Sequence, residues 1–278
     1  MNGRREWSIL IPSSYTMESA DIRVKTLKVG LLARAAAVFR VDRIVVYRDR
    51  EFDDTRFITT VLRYAETPQY LRKLLFPRMR ELSHAGILPP LRTAHHPVNK
   101  ASSTLKIGEI RVGVVVDSVG SDGGVWVEIG IDRPVPLRTK DKVRPGQRLN
   151  VRIFSLNPLA AELVDRDQIP GYWGYETVAV ASAQDYLSSR DDLVIATSRM
   201  GRPVTTDLLR TLGRSMDRSL AVMFGSPARG VDAFLSREML DRCCVINTIP
   251  GQGTQTVRVE EAALATLSLL NLARFEEE

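Results

Sequence analysis

Three short stretches in the C-terminal half carry the residue types that hold a small polar molecule. They are TSRMG (Thr197, Ser198, Arg199, Met200, Gly201), GSPARG (Gly225, Ser226, Pro227, Ala228, Arg229, Gly230) and NTIPGQGTQT (Asn247 to Thr256). Each follows a short apolar run: LVIA, AVMF and CVIN. Glycine lets a backbone approach a ligand closely, and the third stretch leads into a long helical pattern whose start offers unpaired N–H groups. Chemistry of this kind is recognition by backbone, hydroxyl and amide groups. Thr256 as an N-cap, with Glu260 and Glu261 in the first turn, needs no ligand to explain it. That reading leaves the two glycines, the proline and the glutamine of the third stretch without a purpose.

Other chemistries lack their residues. GQGTQT has no lysine for a phosphate-cradling loop, and the third glycine of a dinucleotide fingerprint is missing. No GxSxG, HExxH or spaced cysteine pair occurs. Three histidines and two adjacent cysteines, Cys243 and Cys244, cannot make a zinc site of ordinary spacing, so no metal is expected. His84, His95 and His96 lie in none of the three loops.

The elements that must position these loops alternate. Strands are expected at Trp7–Ile11, Arg43–Tyr47, Thr177–Ala181, Leu193–Thr197, Leu220–Phe224 and Cys243–Asn247. Helical spacing covers Ala20–Phe39, Thr55–Ala65, Pro68–Phe76, Ala183–Ser189, Thr206–Leu212, Pro227–Leu235 and Val257–Phe275. Such alternation predicts an α/β domain with a parallel sheet, and ligands bind beyond the carboxyl ends of such strands. The texture changes after Pro89. Short strand-like runs at Ile110–Asp117, Val125–Ile131, Leu149–Phe154 and Ala160–Val164, separated by turns such as Ser121–Gly124, suggest a small β-barrel of OB or S1-like type. The expected organisation is residues 1–90 plus 166–278 as one discontinuous cofactor-binding domain, interrupted by a barrel at 91–165.

Net charge is +6 and the positive residues cluster. Between Arg133 and Arg152 seven basic residues face one acid, Asp141, and Arg72, Lys73, Arg78, Arg80 and Arg92 form a second group. Such concentration is the electrostatic footprint of a nucleic-acid partner. Arg133, Arg138, Lys140, Lys142, Arg144 and Arg148 are the expected phosphate contacts. No apolar run approaches the ~18 residues a membrane span needs, and no signal peptide is evident, so a cytoplasmic protein is expected.

FGSPARG, NTIPGQGTQTVRVEEAALATLSLLN and IRVKTLKVGLLARAAAVFRVDRIVVY together resemble the SPOUT superfamily of knotted methyltransferases. The resemblance is to the archaeal and eukaryotic subfamily with an inserted OB-like domain. It implies a C-terminal trefoil knot, S-adenosylmethionine as cofactor, RNA as substrate, and a homodimer with the site at its interface. It further implies that Gly225, Ser226, Pro227 and Gly230 line the cofactor on one side. Ile249, Pro250, Gln252, Gly253, Thr254 and Thr256 would close over it, with Thr197, Ser198, Arg199 and Gly201 in the first loop. Arg34, an arginine amid the apolar spacing of GLLARAAAVF, and Asn247, at a strand end, are the candidate catalytic residues; a buried or interface salt bridge and a turn cap are their alternatives. An RNA methyltransferase is expected, the alternative being a non-catalytic RNA-binding or ribosome-assembly protein that keeps the fold.

Overall fold

The computed structural model describes residues 5–116 and 124–275. The chain divides into two compact units, Met1–Ala65 with Arg80–Leu91 and Tyr175–Glu278, and Glu66–Met79 with Arg92–Gly174. In chain order the elements begin with β1 (Trp7–Pro12), α1 (Ile22–Val38), β2 (Arg43–Tyr47), α2 (Thr55–Glu66) and α3 (Arg72–Leu75). Five strands follow: β3 (Ile110–Val116), β4 (Trp126–Glu128), β5 (Val135–Arg138), β6 (Arg148–Leu156) and β7 (Leu159–Leu163). The chain then continues through β8 (Glu176–Val180), α4 (Ala183–Ser188), β9 (Leu193–Pro203), α5 (Thr206–Arg214) and β10 (Leu220–Met223). It closes with α6 (Arg237–Arg242), β11 (Cys244–Asn247) and α7 (Val259–Phe275).

The first unit is an α/β fold built on a six-stranded sheet of order β11-β9-β10-β1-β2-β8. Every pairing in it is parallel. Runs such as RIVVY and WSILIP suit this position, since strands buried on both faces tolerate no alternating polar residue. Short hydroxyl side chains start several helices: Ser182, Thr205 and Ser236 accept from the amides of Asp185, Leu208 and Met239, as Asp21 does from Arg23. Because β10 lies between β1 and β9, the strand order reverses at the β1–β10 boundary, where open α/β sheets form crevices.

Two helical expectations are corrected. Pro227–Leu235 is not a helix: it is loop as far as Gly230, then a single 3-10 turn at Val231–Ala233, and α6 starts only after the Ser236 cap. Pro68–Phe76 splits into a 3-10 turn, Gln69–Leu71, and the short α3. The turn expected at Ser121–Gly124 falls almost wholly outside the described residues, as do Asp117 and the acidic end 276–278.

The second unit holds a closed five-stranded barrel of order β3-β4-β5-β7-β6, antiparallel except for the parallel pair β5–β7. Its interior is Val127, Ile129, Val135, Leu137, Val151, Ile153 and Ala161. Residues 66–79 and 166–174 belong to this unit in addition to the span expected for the barrel. The reason is packing: Leu71 and Trp173 share a buried cluster with Val112 and Val114, and the Tyr70 hydroxyl donates to the Val112 carbonyl at 2.8 Å.

A polar cluster within this unit centres on the buried Glu66 and His95. The Glu66 carboxylate accepts from Arg148 Nη1 at 2.5 Å and Nη2 at 2.9 Å, and His95 Nε2 lies 3.0 Å from it. Burial alone would raise Glu66, but His95 and Arg148 outweigh it and hold the carboxyl below its ordinary range. His96 Nε2 sits 2.6 Å from the Glu66 carbonyl oxygen. Burial, helped by His95, depresses His96 from 6.5 to about 4. The unfolded chain therefore binds the extra proton between pH 6.5 and about 4, and the folded chain loses stability as pH falls through that window. The loss amounts to at most roughly 3 kcal/mol. Urea unfolding at pH 7, 5.5 and 4.5 should show this decline, and His96→Asn should flatten it.

Candidate functional site

A cavity of about 370 Å³ opens between the middle of β9 and the carboxyl ends of β10 and β11, three neighbouring strands of the sheet. Its first wall comes from an irregularity of β9. Val245 pairs with Ala196, but the next residue, Ile246, pairs with Arg202, so residues 197–201 are looped out of register. Three contacts hold the bulge: Thr197 Oγ1 donates to the Met223 carbonyl at 3.1 Å, Asn247 Nδ2 to the Arg199 carbonyl at 3.0 Å, and Arg199 Nη1 to the Gln255 carbonyl at 3.1 Å. Gly201 closes it. A Cβ there would lie 2.6 Å from the carbonyl carbon of Ile246, so only glycine lets β9 return to β11.

The second wall is the loop after β10. Arg229 N donates to Ser226 Oγ at 2.9 Å, and a Cβ on Gly225 would meet the Arg229 carbonyl oxygen at 2.7 Å, so the loop folds tightly on itself. Its anchor lies across the sheet. The Arg229 guanidinium pairs with Asp49 and, at 3.1 Å, with Glu51, while Tyr47 OH donates to the Phe224 carbonyl at 2.6 Å. Asp49 is buried. Burial would raise its carboxyl, yet the Ser14 hydroxyl at 2.6 Å, the Glu51 amide at 3.0 Å and Arg229 together hold it below the usual range.

The third wall is the connection from β11 to α7. Asn247 Oδ1 accepts from the Ile249 amide at 3.0 Å, Gln252 Nε2 donates to the Thr254 carbonyl at 2.9 Å, and Thr248 Oγ1 meets Thr266 Oγ1 at 2.9 Å. Thr256 is not the cap of α7. Arg258 precedes the helix, with its amide bonded to Glu261 Oε2 at 2.9 Å, and the Thr256 carbonyl accepts from Thr254 Oγ1.

The expected residues divide cleanly. Thr197, Ser198 and Arg199 line the cavity, as do Gly225, Ser226, Pro227 and Gly230, and Asn247, Ile249, Gln252 and Thr256 from the third wall. Gly201, Pro250, Gly253 and Thr254 do not. Met200, from the TSRMG stretch, lines it too, and so does Asp232, which sequence reasoning missed. Arg34 is outside the lining: its Nη1 donates to the carbonyls of Leu91 at 2.5 Å and Pro90 at 3.3 Å. On the barrel, Arg133, Arg138, Lys140, Lys142 and Arg144 are exposed, whereas Arg148 is spent on Glu66. Among the described residues no group of three His, Cys, Asp or Glu side chains could hold a metal, and no helix is long and apolar enough to cross a membrane.

The Asp49–Arg229 pair makes a prediction independent of any ligand. Asp49→Ala removes the buried carboxylate that the Ser14 hydroxyl, the Glu51 amide and Arg229 share, leaves the guanidinium with Glu51 alone, and should lower stability. It should also free the loop, so that tryptic cleavage after Arg229 becomes several-fold faster in limited proteolysis under native conditions.

The model of a family described as "Putative RNA methyltransferase" matches residues 6–270. An uncharacterized protein of Haloarcula marismortui is 39% identical over 95% of this chain and 98% of its own length. The human 28S rRNA (uridine-N(3))-methyltransferase is 32% identical over 95% of this chain and 77% of its own length. Among solved structures, the SpoU methyltransferase AviRb from Streptomyces viridochromogenes matches at a TM-score of 0.39 and 9% identity over 98% of this chain and 61% of that one, a likeness too slight to carry an argument. With the family model spanning nearly the whole chain and the human relative alike across both units, the protein belongs to this family of RNA methyltransferases.

Proposed function

We propose that the cavity binds S-adenosylmethionine and that the protein transfers its methyl group to a base of ribosomal RNA, with the N3 of a uridine as acceptor, as the name of the human relative suggests. The observation that carries this reading is the convergence of three loops on one cavity of about 370 Å³, a volume in the range of small-molecule sites. The donor set fits the cofactor: backbone amides and carbonyls, threonine and serine hydroxyls and the Gln252 amide suit an adenosine, and Ile246, Ile249 and Val259 supply apolar surface. The bound cofactor supplies an activated methyl group. The chain's own part is to align that group with the acceptor and to exclude water, which is where most of the rate gain in such a displacement lies.

Support for a C-terminal trefoil knot comes from the contacts of residues 247–255 with the bulge of β9. A homodimer is supported by the outer face of α1. Val24, Leu27, Leu31 and Val38 are exposed at helical spacing, and Leu264, Leu272 and Phe275 are exposed on α7, which packs beside α1. Arg34 falls in the same row of α1, between Leu31 and Val38, so in a dimer it would face the partner. RNA binding is supported by the exposed basic residues of the barrel, whose strand order with one parallel pair is that of an OB-type Greek key. The compartment implied is the one that holds ribosomal RNA.

Calorimetric titration should show S-adenosylmethionine binding to the wild type and not to Ala228→Trp, which places a large ring in the cavity from an exposed position. Labelled methyl transfer should then require ribosomal RNA from cells lacking the protein. Absence of cofactor binding by the wild type would overturn the reading. Leu31→Glu should convert the dimer to a monomer by light scattering.

A further inference from the structure

Only three charged residues line the cavity among those described: Arg199, Arg229 and Asp232. Two are already engaged, Arg199 with the Gln255 carbonyl and Arg229 with Asp49 and Glu51. Asp232 has neither hydrogen-bond nor ion-pair partner among the described residues, and it is exposed to the cavity mouth from the 3-10 turn Val231–Ala233. The loop is built to leave room for this carboxylate. A Cβ on Gly230 would lie 2.4 Å from Asp232 Oδ1, although the backbone there, at φ −69° and ψ 177°, would accept any residue.

We propose that Asp232 is the specificity residue for the amino-acid end of the cofactor, accepting hydrogen bonds from its α-ammonium. The inference rests on the cavity binding S-adenosylmethionine. A carboxylate with free acceptor oxygens is satisfied by N–H donors, and an ammonium brings three of them together with a complementary charge. A sulfonium brings charge but no N–H. Apart from the two engaged arginines, the rest of the lining offers backbone groups and neutral side chains, so Asp232 is the acid in it able to distinguish a tail that carries an ammonium from one that does not.

The test compares three ligands by calorimetry: S-adenosylmethionine, S-adenosylhomocysteine and 5′-methylthioadenosine. The first two carry the ammonium and the third keeps the thioether nucleoside without it. Asp232→Asn should weaken the first two on the order of tenfold to a hundredfold, the cost of a charged hydrogen bond, and leave 5′-methylthioadenosine unchanged. Gly230→Ala, which pushes the carboxylate aside, should give the same pattern more weakly. Equal weakening of all three would mark Asp232 as merely structural, and no weakening would show that the ammonium binds elsewhere; either overturns the proposal. Wild-type protein that binds none of the three would instead overturn the cofactor reading itself.

Discussion

The departure of β9 from β11 and its return is the constraint on which the site depends. Five residues leave the ladder between the Ala196–Val245 and Arg202–Ile246 pairings, and they can rejoin it only because Gly201 lies against the Ile246 backbone. Asn247 secures both neighbours of that junction: its amide nitrogen holds the bulge and its amide oxygen holds the next turn. Once the bulge is fixed, the β11–α7 connection has a surface to rest on, through Arg199 and Gln255. The cavity is thus a consequence of one strand being longer than its partner can pair.

The loop after β10 is held by a different force. Asp49 and Arg229 are 180 residues apart and meet where the sheet brings the ends of β2 and β10 to the same edge. A buried carboxylate with a hydroxyl, an amide and a guanidinium around it is costly to leave half-satisfied, so the pair fixes the loop in one conformation. Charge is consumed in doing so. The cavity is left with one free acid, while Arg133, Arg138, Lys140, Lys142 and Arg144 are exposed on the barrel. Recognition on the proposed reading divides accordingly: a cofactor site of mostly neutral groups with a single free acid, and a salt-sensitive surface for phosphates.

Much of this was legible in the residues. β1, β2, the start of β9 and β10 announce themselves as apolar, β-branched runs, and glycines within the bulge of β9 and after β10 and β11 mark the loops that converge. β5 was hidden because Pro136 interrupts a four-residue strand, where proline signals a turn. At Pro227–Leu235 the Arg229 anchor holds the chain as a loop, and the helix starts only after the Ser236 cap. Arg34 and Arg148 have partners that the sequence did not show, for a shared reason. Their partners, Leu91 and Glu66, are 57 and 82 residues away, and no local pattern shows that a cation is already spent. Asp232 was overlooked because a single acid in a turn carries no periodicity; only the enclosing cavity gives it meaning.

A crystal structure of the protein soaked with S-adenosylhomocysteine tests the central claim most directly. The account predicts the ligand between the bulge of β9, the Gly225–Gly230 loop and the Thr248–Thr256 connection, with the Asp49–Arg229 pair unbroken. Electron density for the ligand at any other place, or none at saturating concentration, would contradict it.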